Sequence, residues 1–183
     1  MKVISGSAKG KNLKSPKGKV RPLSAQVKEA LFNILMEEVP QADFLDLFAG
    51  SGQVGIEALS RGARLAIFVE LDRKTVNCIR ENLALCGFTD RAEVYALNVL
   101  RALKILDKKG AKFDIIFIGA PYGSRALEGS LEMLGSFGIL KADSMIVAEH
   151  HFKHKLKDGY GKLGAFREER YGDTVLKFYK ETK

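Results

Sequence analysis

Short apolar segments alternate with segments of helical periodicity between residues 44 and 149. The apolar segments predict strands at residues 44–48, 65–69, 93–97, 113–118 and 145–149. The segments between them predict helices at residues 54–61, 73–86, 100–108 and 127–134, because their apolar side chains recur on one face. Parallel strands need a crossover connection, which a helix supplies. The alternation therefore predicts an α/β fold with a doubly wound, Rossmann-like parallel sheet.

The segments on either side of this alternation predict smaller features. Ser24 is a candidate N-cap for a helix that carries Val27, Leu31 and Leu35 on one face. Residues 162–170 and 174–179 flank a turn and predict a C-terminal antiparallel hairpin. Residues 1–22 predict a small basic N-terminal arm or hairpin, and residues 23–183 form the main domain.

Positive charge is concentrated at the N-terminus. The chain carries 30 Lys and Arg against 22 Asp and Glu, a net charge of +8, and residues 1–28 contain eight cations and no anion. This concentration predicts contact with a polyanion, most simply nucleic acid, whereas a solvated tail is the alternative. The candidate RNA contacts are Lys9, Lys11, Lys14, Lys17, Lys19 and Arg21.

The length and composition exclude several classes of protein. A chain of 183 residues with 28% charged residues is typical of one globular domain. Its apolar runs are too short to span a membrane, and its N-terminus lacks the apolar stretch of a secretory signal. Cys78 and Cys86 have no His or Cys at metal-ligand spacing, so we expect reduced, buried thiols in a cytoplasmic protein without a metal.

A glycine-rich turn follows the first predicted strand, at the edge of the sheet where such folds bind ligands. It lies within the segment Asp46-Leu-Phe-Ala-Gly-Ser-Gly-Gln-Val-Gly55. Glu70 ends the second predicted strand, 18 residues after Gly52, where a carboxylate can accept both hydroxyls of a ribose. Tight turns alone would explain the glycines but not Glu70. The combination predicts a cofactor that contains adenosine.

The carboxylate of Asp46 distinguishes between two such cofactors. A dinucleotide would place its pyrophosphate near this anion, which would repel it. S-adenosylmethionine carries a sulfonium and an ammonium group, so Asp46 favours it. Methyl transfer is therefore the leading prediction. A nicotinamide-dependent oxidoreductase is the weaker alternative, since the chain also lacks a second substrate domain.

Several of these segments resemble the RsmD-type methyltransferases, class I enzymes that methylate guanine N2 in bacterial 16S ribosomal RNA. The resemblance is carried by residues 46–52, 56–62 and 68–70, and it extends to Arg21-Pro22, residues 27–35, Glu149-His150 and residues 171–174. It implies a class I methyltransferase fold and S-adenosylmethionine as cofactor. The implied partner is ribosomal RNA within a small-subunit particle, bound by a monomeric cytoplasmic enzyme.

The resemblance also implies a set of site residues. Those expected at the cofactor are Asp46, Phe48, Gly50, Gly52, Glu70, Leu71, Asn98 and Val99. Asn98 stands where the family usually has Asp, and its amide oxygen can still accept a bond from the adenine amine. The expected catalytic segment is Gly119-Ala120-Pro121-Tyr122.

This catalytic segment departs from the family motif, which is Asp-Pro-Pro-Tyr. The guanine amine is a poor nucleophile until acceptors bind its protons and localise its lone pair, while an aromatic ring stacks on the base. Gly119 has no side chain that could act as an acceptor, although the carbonyl groups of Gly119 and Ala120 and the ring of Tyr122 remain. We therefore expect slowed transfer. The alternative is a catalytically impaired relative that binds cofactor and RNA without efficient turnover.

Overall fold

The structure, a computed structural model, describes residues 1–16 and 22–182. The strands in these residues are β1 (Asp43–Leu47), β2 (Leu65–Glu70), β3 (Ala92–Ala96), β4 (Phe113–Ile118), β5 (Leu140–His151), β6 (Gly159–Tyr160), β7 (Leu163–Tyr171) and β8 (Thr174–Glu181). The helices are α1 (Ala25–Ile34), α2 (Gln53–Ser60), α3 (Arg73–Cys86), α4 (Val99–Lys108) and α5 (Ala126–Leu134), with a short 3-10 turn at Thr89–Arg91. No helix among the described residues is long and apolar enough to cross a bilayer.

Within the described residues the strands form one eight-stranded sheet in the order β3-β2-β1-β4-β5-β8-β7-β6. The first five strands of this order are parallel, and β8, β7 and β6 continue the sheet in antiparallel pairs. The predicted doubly wound α/β fold with a C-terminal antiparallel extension is confirmed. The chain reverses its direction of winding between β1 and β4, and parallel sheets bind ligands at such a point.

Helices cover both faces of the sheet because its central strands are apolar on both sides. All five residues of β1 are buried. Leu31 on α1, Ile56 on α2 and Ile79 on α3 belong to the core of one face. Leu103 on α4 and Leu131 on α5 belong to the core of the other. The sheet is therefore fixed between two apolar layers, which leaves its strand ends as the accessible site.

The N-terminal residues are packed against this framework. An antiparallel bridge joins Lys2 to Asn12, and Val3 and Leu13 are buried in the same core as α1, α2 and α3. The N–H groups of Ile4 and of the following serine donate to the fully buried carboxylate of Glu57, each at 2.9 Å. The predicted basic arm or hairpin thus packs against the domain through Val3, Ala8 and Leu13, which lie in the core.

Candidate active site

A cavity of about 1020 Å³ opens at the carboxyl ends of β1, β2 and β4. Seven of the predicted cofactor residues line it, namely Asp46, Phe48, Gly50, Glu70, Leu71, Asn98 and Val99. Gly52, the residue that directly precedes α2, belongs to the same glycine-rich turn. The four residues of the predicted catalytic segment, Gly119, Ala120, Pro121 and Tyr122, also line the cavity. The structure thus brings the predicted cofactor residues and the predicted catalytic segment to one space.

Asp46 gives this cavity a preference for positive charge. Its side chain is buried, and Oδ2 accepts a hydrogen bond from the N–H of Gly55 at 2.9 Å. Burial raises the pKa of the Asp46 carboxyl to about 7; the Gly55 N–H opposes this rise and the negative charge of Glu70 adds to it. A cation placed nearby would favour the ionised form of Asp46, since opposite charges stabilise each other most strongly away from water.

The glycine-rich turn requires its glycines for two reasons. Gly50 and Gly52 have positive φ angles of 55° and 78°, which side chains disfavour. A Cβ on Gly55 would lie 2.4 Å from the ring of Phe68, so only glycine lets α2 approach β2 this closely. Phe48 also has a positive φ, 61°, although it is not a glycine. Strained residues of this kind cluster at binding sites.

Glu70 is held in the cavity wall by backbone N–H groups. Its Oε2 accepts from Gly50 at 3.0 Å, and its Oε1 accepts from Leu71 at 2.8 Å and from Asp72 at 3.0 Å. These bonds fix the carboxylate, and an ionised carboxylate has about four acceptor positions in all. Glu70 can therefore accept a further hydroxyl group from a ligand while it keeps the turn in place.

Asn98 has a structural contact that the sequence did not predict. Its Oδ1 accepts from the N–H of Leu100 at 3.0 Å and caps the N-terminus of α4. The side chain lies at the cavity with its oxygen already engaged by the cap. The N–H of Arg101 also donates to this oxygen, at 3.4 Å, so the role predicted for Asn98, acceptance of a bond from the adenine amine, would compete with this longer capping bond.

The catalytic segment continues directly from β4. The N–H of Gly119 donates to the carbonyl oxygen of Leu47 at 3.1 Å, which holds the segment beside the end of β1. The hydroxyl of Tyr122 lies 3.1 Å from Oγ1 of Thr174 on β8 and donates to Oε1 of Glu149 at 3.3 Å. Two strands thus position the side chain of Tyr122.

Glu149 is a residue of this site to which sequence reasoning assigned no role. It lies near the end of β5, is half-buried, and lines the same cavity. A Cβ added to Gly119 would lie 3.5 Å from Oε2 of Glu149. The available signal was its position at the carboxyl end of a predicted strand, where functional residues of such sheets lie.

The described lysines among the predicted RNA contacts lie on the N-terminal segment, and none of them lines the large cavity. Lys9 borders a second cavity of about 360 Å³. Nζ of Lys11 donates to the carbonyl of Leu85 at 2.6 Å, and Nζ of Lys14 lies 2.8 Å from the carboxylate of Glu81. These two lysines therefore tether the segment to α3.

Three further predicted RNA contacts, Lys17, Lys19 and Arg21, lie outside the described residues. Within the described part of the chain, no cluster of three or more His, Cys, Asp or Glu side chains is arranged to hold a metal ion. Cys78 and Cys86 are buried free thiols, as predicted.

Comparison with known proteins identifies the family. The sequence profile of the family described as conserved hypothetical protein 95 matches residues 1–180. The chain belongs to this family. Among its relatives, YlbH of Bacillus subtilis, which is provisionally named an rRNA methyltransferase, is 40% identical over 99% of both chains. Ribosomal RNA small subunit methyltransferase D of Escherichia coli is 32% identical over 98% of this chain and 89% of its own length.

A solved structure agrees with this assignment. The E. coli protein yhhF, provisionally named a methyltransferase, superimposes with a TM-score of 0.88 at 30% identity, over 99% of this chain and 97% of that one. The resemblance to the RsmD-type methyltransferases and the class I methyltransferase fold, both expected from the sequence, are confirmed. Membership of this methyltransferase family also agrees with the predicted cofactor, S-adenosylmethionine.

Proposed function

We propose that this protein transfers the methyl group of S-adenosylmethionine to the exocyclic N2 amine of a guanine in 16S ribosomal RNA. The observation that carries the proposal is the shared cavity, in which the carboxylates of Asp46 and Glu70 face the same space as the segment from Gly119 to Tyr122. The relative from E. coli named small subunit methyltransferase D supports the choice of RNA.

The cavity residues fit the chemical groups of this cofactor. When bound, S-adenosylmethionine supplies an electrophilic methyl group on a positively charged sulfur. Asp46 favours positive charge, and Glu70 can accept one hydroxyl group of the ribose beside its three backbone bonds. Asn98 lies where the adenine amine would bind, and Gly50 lines the cavity without a side chain, which leaves room for the ligand beside the backbone. The apolar side chains of Phe48, Leu71 and Val99 line the cavity and suit the adenine ring.

The substrate side of the cavity fits a flipped-out base. The ring of Tyr122, held by Thr174 and Glu149, offers a stacking surface, and Pro121 restricts the backbone beside it. The carbonyl groups of Gly119 and Ala120 can accept bonds from the amine protons. Cations of the N-terminal segment would contact RNA phosphates, which give affinity without reading sequence.

We further propose how the chain is divided and where the enzyme acts. The N-terminal 22 residues act as the basic RNA-contacting unit and residues 23–183 as the methyltransferase domain. The enzyme acts as a cytoplasmic monomer on a small-subunit particle. The alternative of a relative that binds without turnover is not supported by the relatives, whose names are those of methyltransferases.

A methylation assay tests this proposal. Small-subunit particles and free 16S RNA, both unmodified, are incubated with enzyme and labelled S-adenosylmethionine under single-turnover conditions. Mass spectrometry of the digested RNA should then detect N2-methylguanosine at one position. The variant Asp46→Asn serves as a matched, weakened cofactor site and should lower the yield. Label on another base, or binding of NAD without binding of S-adenosylmethionine in calorimetry, would contradict the proposal.

A further inference from the structure

The sheet places Glu149 beside the position at which the family motif has an aspartate. β4 and β5 are parallel neighbours, and Ile118 pairs with Ala148. The residues that follow this pair, Gly119 and Glu149, are therefore adjacent at the carboxyl end of the sheet. A side chain at position 119 would begin 3.5 Å from Oε2 of Glu149.

Contacts on the other side of Glu149 keep its carboxylate near this place. Oε1 accepts from the hydroxyl of Tyr122 at 3.3 Å, and that hydroxyl also contacts Thr174 on β8 at 3.1 Å. Thr174 itself is buried. The carboxylate and the ring proposed to stack on the base are thus joined in one hydrogen-bonded group, which fixes their relative positions.

We infer that Glu149 supplies the carboxylate that accepts a proton of the guanine amine, in place of the aspartate that Gly119 replaces. The inference rests on the function proposed above. Both Glu149 and Gly119 line the cavity. A glutamate from the neighbouring strand reaches the region in which a carboxylate on residue 119 would lie, and the absence of a side chain at Gly119 leaves that region open to it.

These groups can together activate the guanine amine. The carboxylate of Glu149 accepts one N–H of the amine, and the carbonyl oxygen of Gly119 or Ala120 accepts the other, which localises the lone pair. The lone pair of N2 forms the new N–C bond, while the S–C bond breaks with its electron pair left on sulfur. The methylated nitrogen loses one proton to the carboxylate of Glu149, which releases it to water. The positive charge of the sulfonium thus leaves as this proton.

A rescue experiment tests whether a carboxylate at position 119, after β4, can replace that of Glu149 on β5. Glu149→Ala should lower single-turnover methylation about 100-fold, as loss of a preorganised group at a developing charge does. Glu149→Gln keeps the shape but loses the charge, so it should lower the rate at least about tenfold. Adding Gly119→Asp to Glu149→Ala should then restore the rate at least about tenfold. Gly119→Asp alone should give no gain, because it places a second anion beside Glu149.

A binding measurement supplies a readout other than methylation. Once the target guanosine is mapped, RNA fragments are made with either guanosine or inosine there; inosine lacks the 2-amino group. The protein, loaded with S-adenosylhomocysteine, should bind the guanosine fragment at least about tenfold more tightly, as expected for a hydrogen bond to a charged acceptor. Glu149→Ala should lose most of this preference, because only the backbone carbonyl acceptors remain. Glu132→Ala, which changes an exposed glutamate of α5, should keep the preference.

The results separate this inference from the proposed function. Should the unmodified enzyme methylate no guanine, the proposed function is wrong. Should it methylate guanine while Glu149→Ala keeps the full rate and the preference over inosine, only the assignment of Glu149 is wrong. A large gain from Gly119→Asp alone would also overturn the assignment, since it would show that the acceptor was missing. Unchanged binding of S-adenosylhomocysteine by Glu149→Ala would show that the variant is folded.

Discussion

The Nζ atom of Lys28 lies 3.1 Å from Oε2 of Glu57, although both side chains are almost completely buried. Burial lowers the pKa of the Lys28 ammonium, and the negative charge of Glu57 opposes this change. Lys28 also donates to the carbonyl of Lys2, while Glu57 accepts from Ile4. One ion pair therefore connects α1, α2 and the N-terminal segment.

Glu57→Gln should destabilise the protein by about 3–5 kcal/mol, because it leaves the buried ammonium of Lys28 without a counter-ion. Denaturant unfolding measures the change, and hydrogen exchange should show faster exchange at Ile4. The control is Glu81→Gln, which removes an exposed partner of Lys14 and should have little effect. Equal stabilities for the two variants would contradict the importance of the buried pair.

The affinity for S-adenosylmethionine should rise between about pH 6 and pH 8. The pKa of Asp46 is raised to about 7, so the empty site holds a proton that a positively charged ligand displaces. Calorimetry in buffers of different ionisation enthalpy should count this proton release near pH 7. Asp46→Asn should bind more weakly, and its affinity should lose this pH dependence. If the affinity of Asp46→Asn still depended on pH, the titrating group would be a different residue.

Asp46 also has a consequence for the stability of the ligand-free protein. Its folded pKa of about 7 lies above the ordinary value of 3.8. The folded state therefore binds more protons between these values, and this contribution to stability is lost as the pH rises toward 7 and above. Denaturation midpoints of the native protein and of Asp46→Asn should diverge over this range. Parallel curves would show that the carboxyl titrates normally.

Glu70→Ala should weaken cofactor binding by about 2–3 kcal/mol, since it removes the charged acceptor proposed for the ribose. It also releases the N–H of Gly50, which the carboxylate holds at 3.0 Å. Calorimetric titration with S-adenosylhomocysteine measures the loss. The matched control is Glu93→Ala, an exposed glutamate on β3, which should bind normally. Equal affinities of the two variants for S-adenosylhomocysteine would show that Glu70 does not bind the cofactor.

The salt dependence of RNA binding should report on the basic segment. Each phosphate contact to unpaired RNA contributes a slope of roughly −0.7 in log affinity against log salt. The triple variant Lys9→Ala, Lys17→Ala, Lys19→Ala should therefore flatten the slope by about 2 units. Substituting the exposed Lys104 and Lys108 of α4 should not change it. An unchanged slope in the triple variant would identify these lysines as merely solvated.

Point substitutions are needed here because deletion of the segment would damage the fold. Val3, Ala8 and Leu13 are buried in the core, and Ile4 donates to Glu57. A chain without residues 1–20 would lose these contacts and expose the buried ion pair. The charge pattern predicted a basic arm or hairpin, and it gave no sign that the few apolar residues of this segment pack into the core.

Tyr122→Ala should weaken RNA binding by about 1–3 kcal/mol and leave the salt slope unchanged, because a stacking surface carries no charge. Tyr122→Phe keeps the ring and loses the hydroxyl bonds to Thr174 and Glu149. It should bind RNA nearly as tightly as the native protein and transfer more slowly. Titration of fluorescent RNA at several salt concentrations measures both effects. Equal loss of affinity in both variants would argue against stacking.

Periodicity was enough to predict the sheet wherever strands are continuously apolar. The bounds of β4 match the prediction, β2 extends one residue beyond it, and β1 is shifted by one residue at both ends. The start of β5 was missed, because Lys141 and Asp143 interrupt its apolar pattern. Asp143 has a positive φ of 60°, and the pairing of β5 with β4 shifts register before Met145. A polar irregularity inside a strand leaves no alternating signal.

The sequence predicted those parts of the site that lie on strands consecutive along the chain. It did not predict those parts that depend on the spatial order of the strands in the sheet. The carboxyl ends of β1 and β2 meet at one edge, so Asp46 and Glu70 could be assigned to one pocket. The proximity of Glu149 to position 119 depends on which strand lies beside β4. The burial of Glu57 depends on the docking of the N-terminal segment, which no periodicity of that short segment predicts.

The central position of β1 has a consequence for folding. β1 pairs with β4 as well as β2. The backbone N–H of Asp43 donates to the carboxylate of Asp114, a residue 71 positions further along the chain. Until β4 has been synthesised, β1 keeps one edge of unpaired backbone N–H and C=O groups, while its apolar side chains, such as Phe44 and Leu45, lie on the faces of an incomplete sheet. Closing so long a loop slows folding, and exposed strand edges promote aggregation. Nascent chains that end before β4 should therefore depend on chaperones more than the complete chain does.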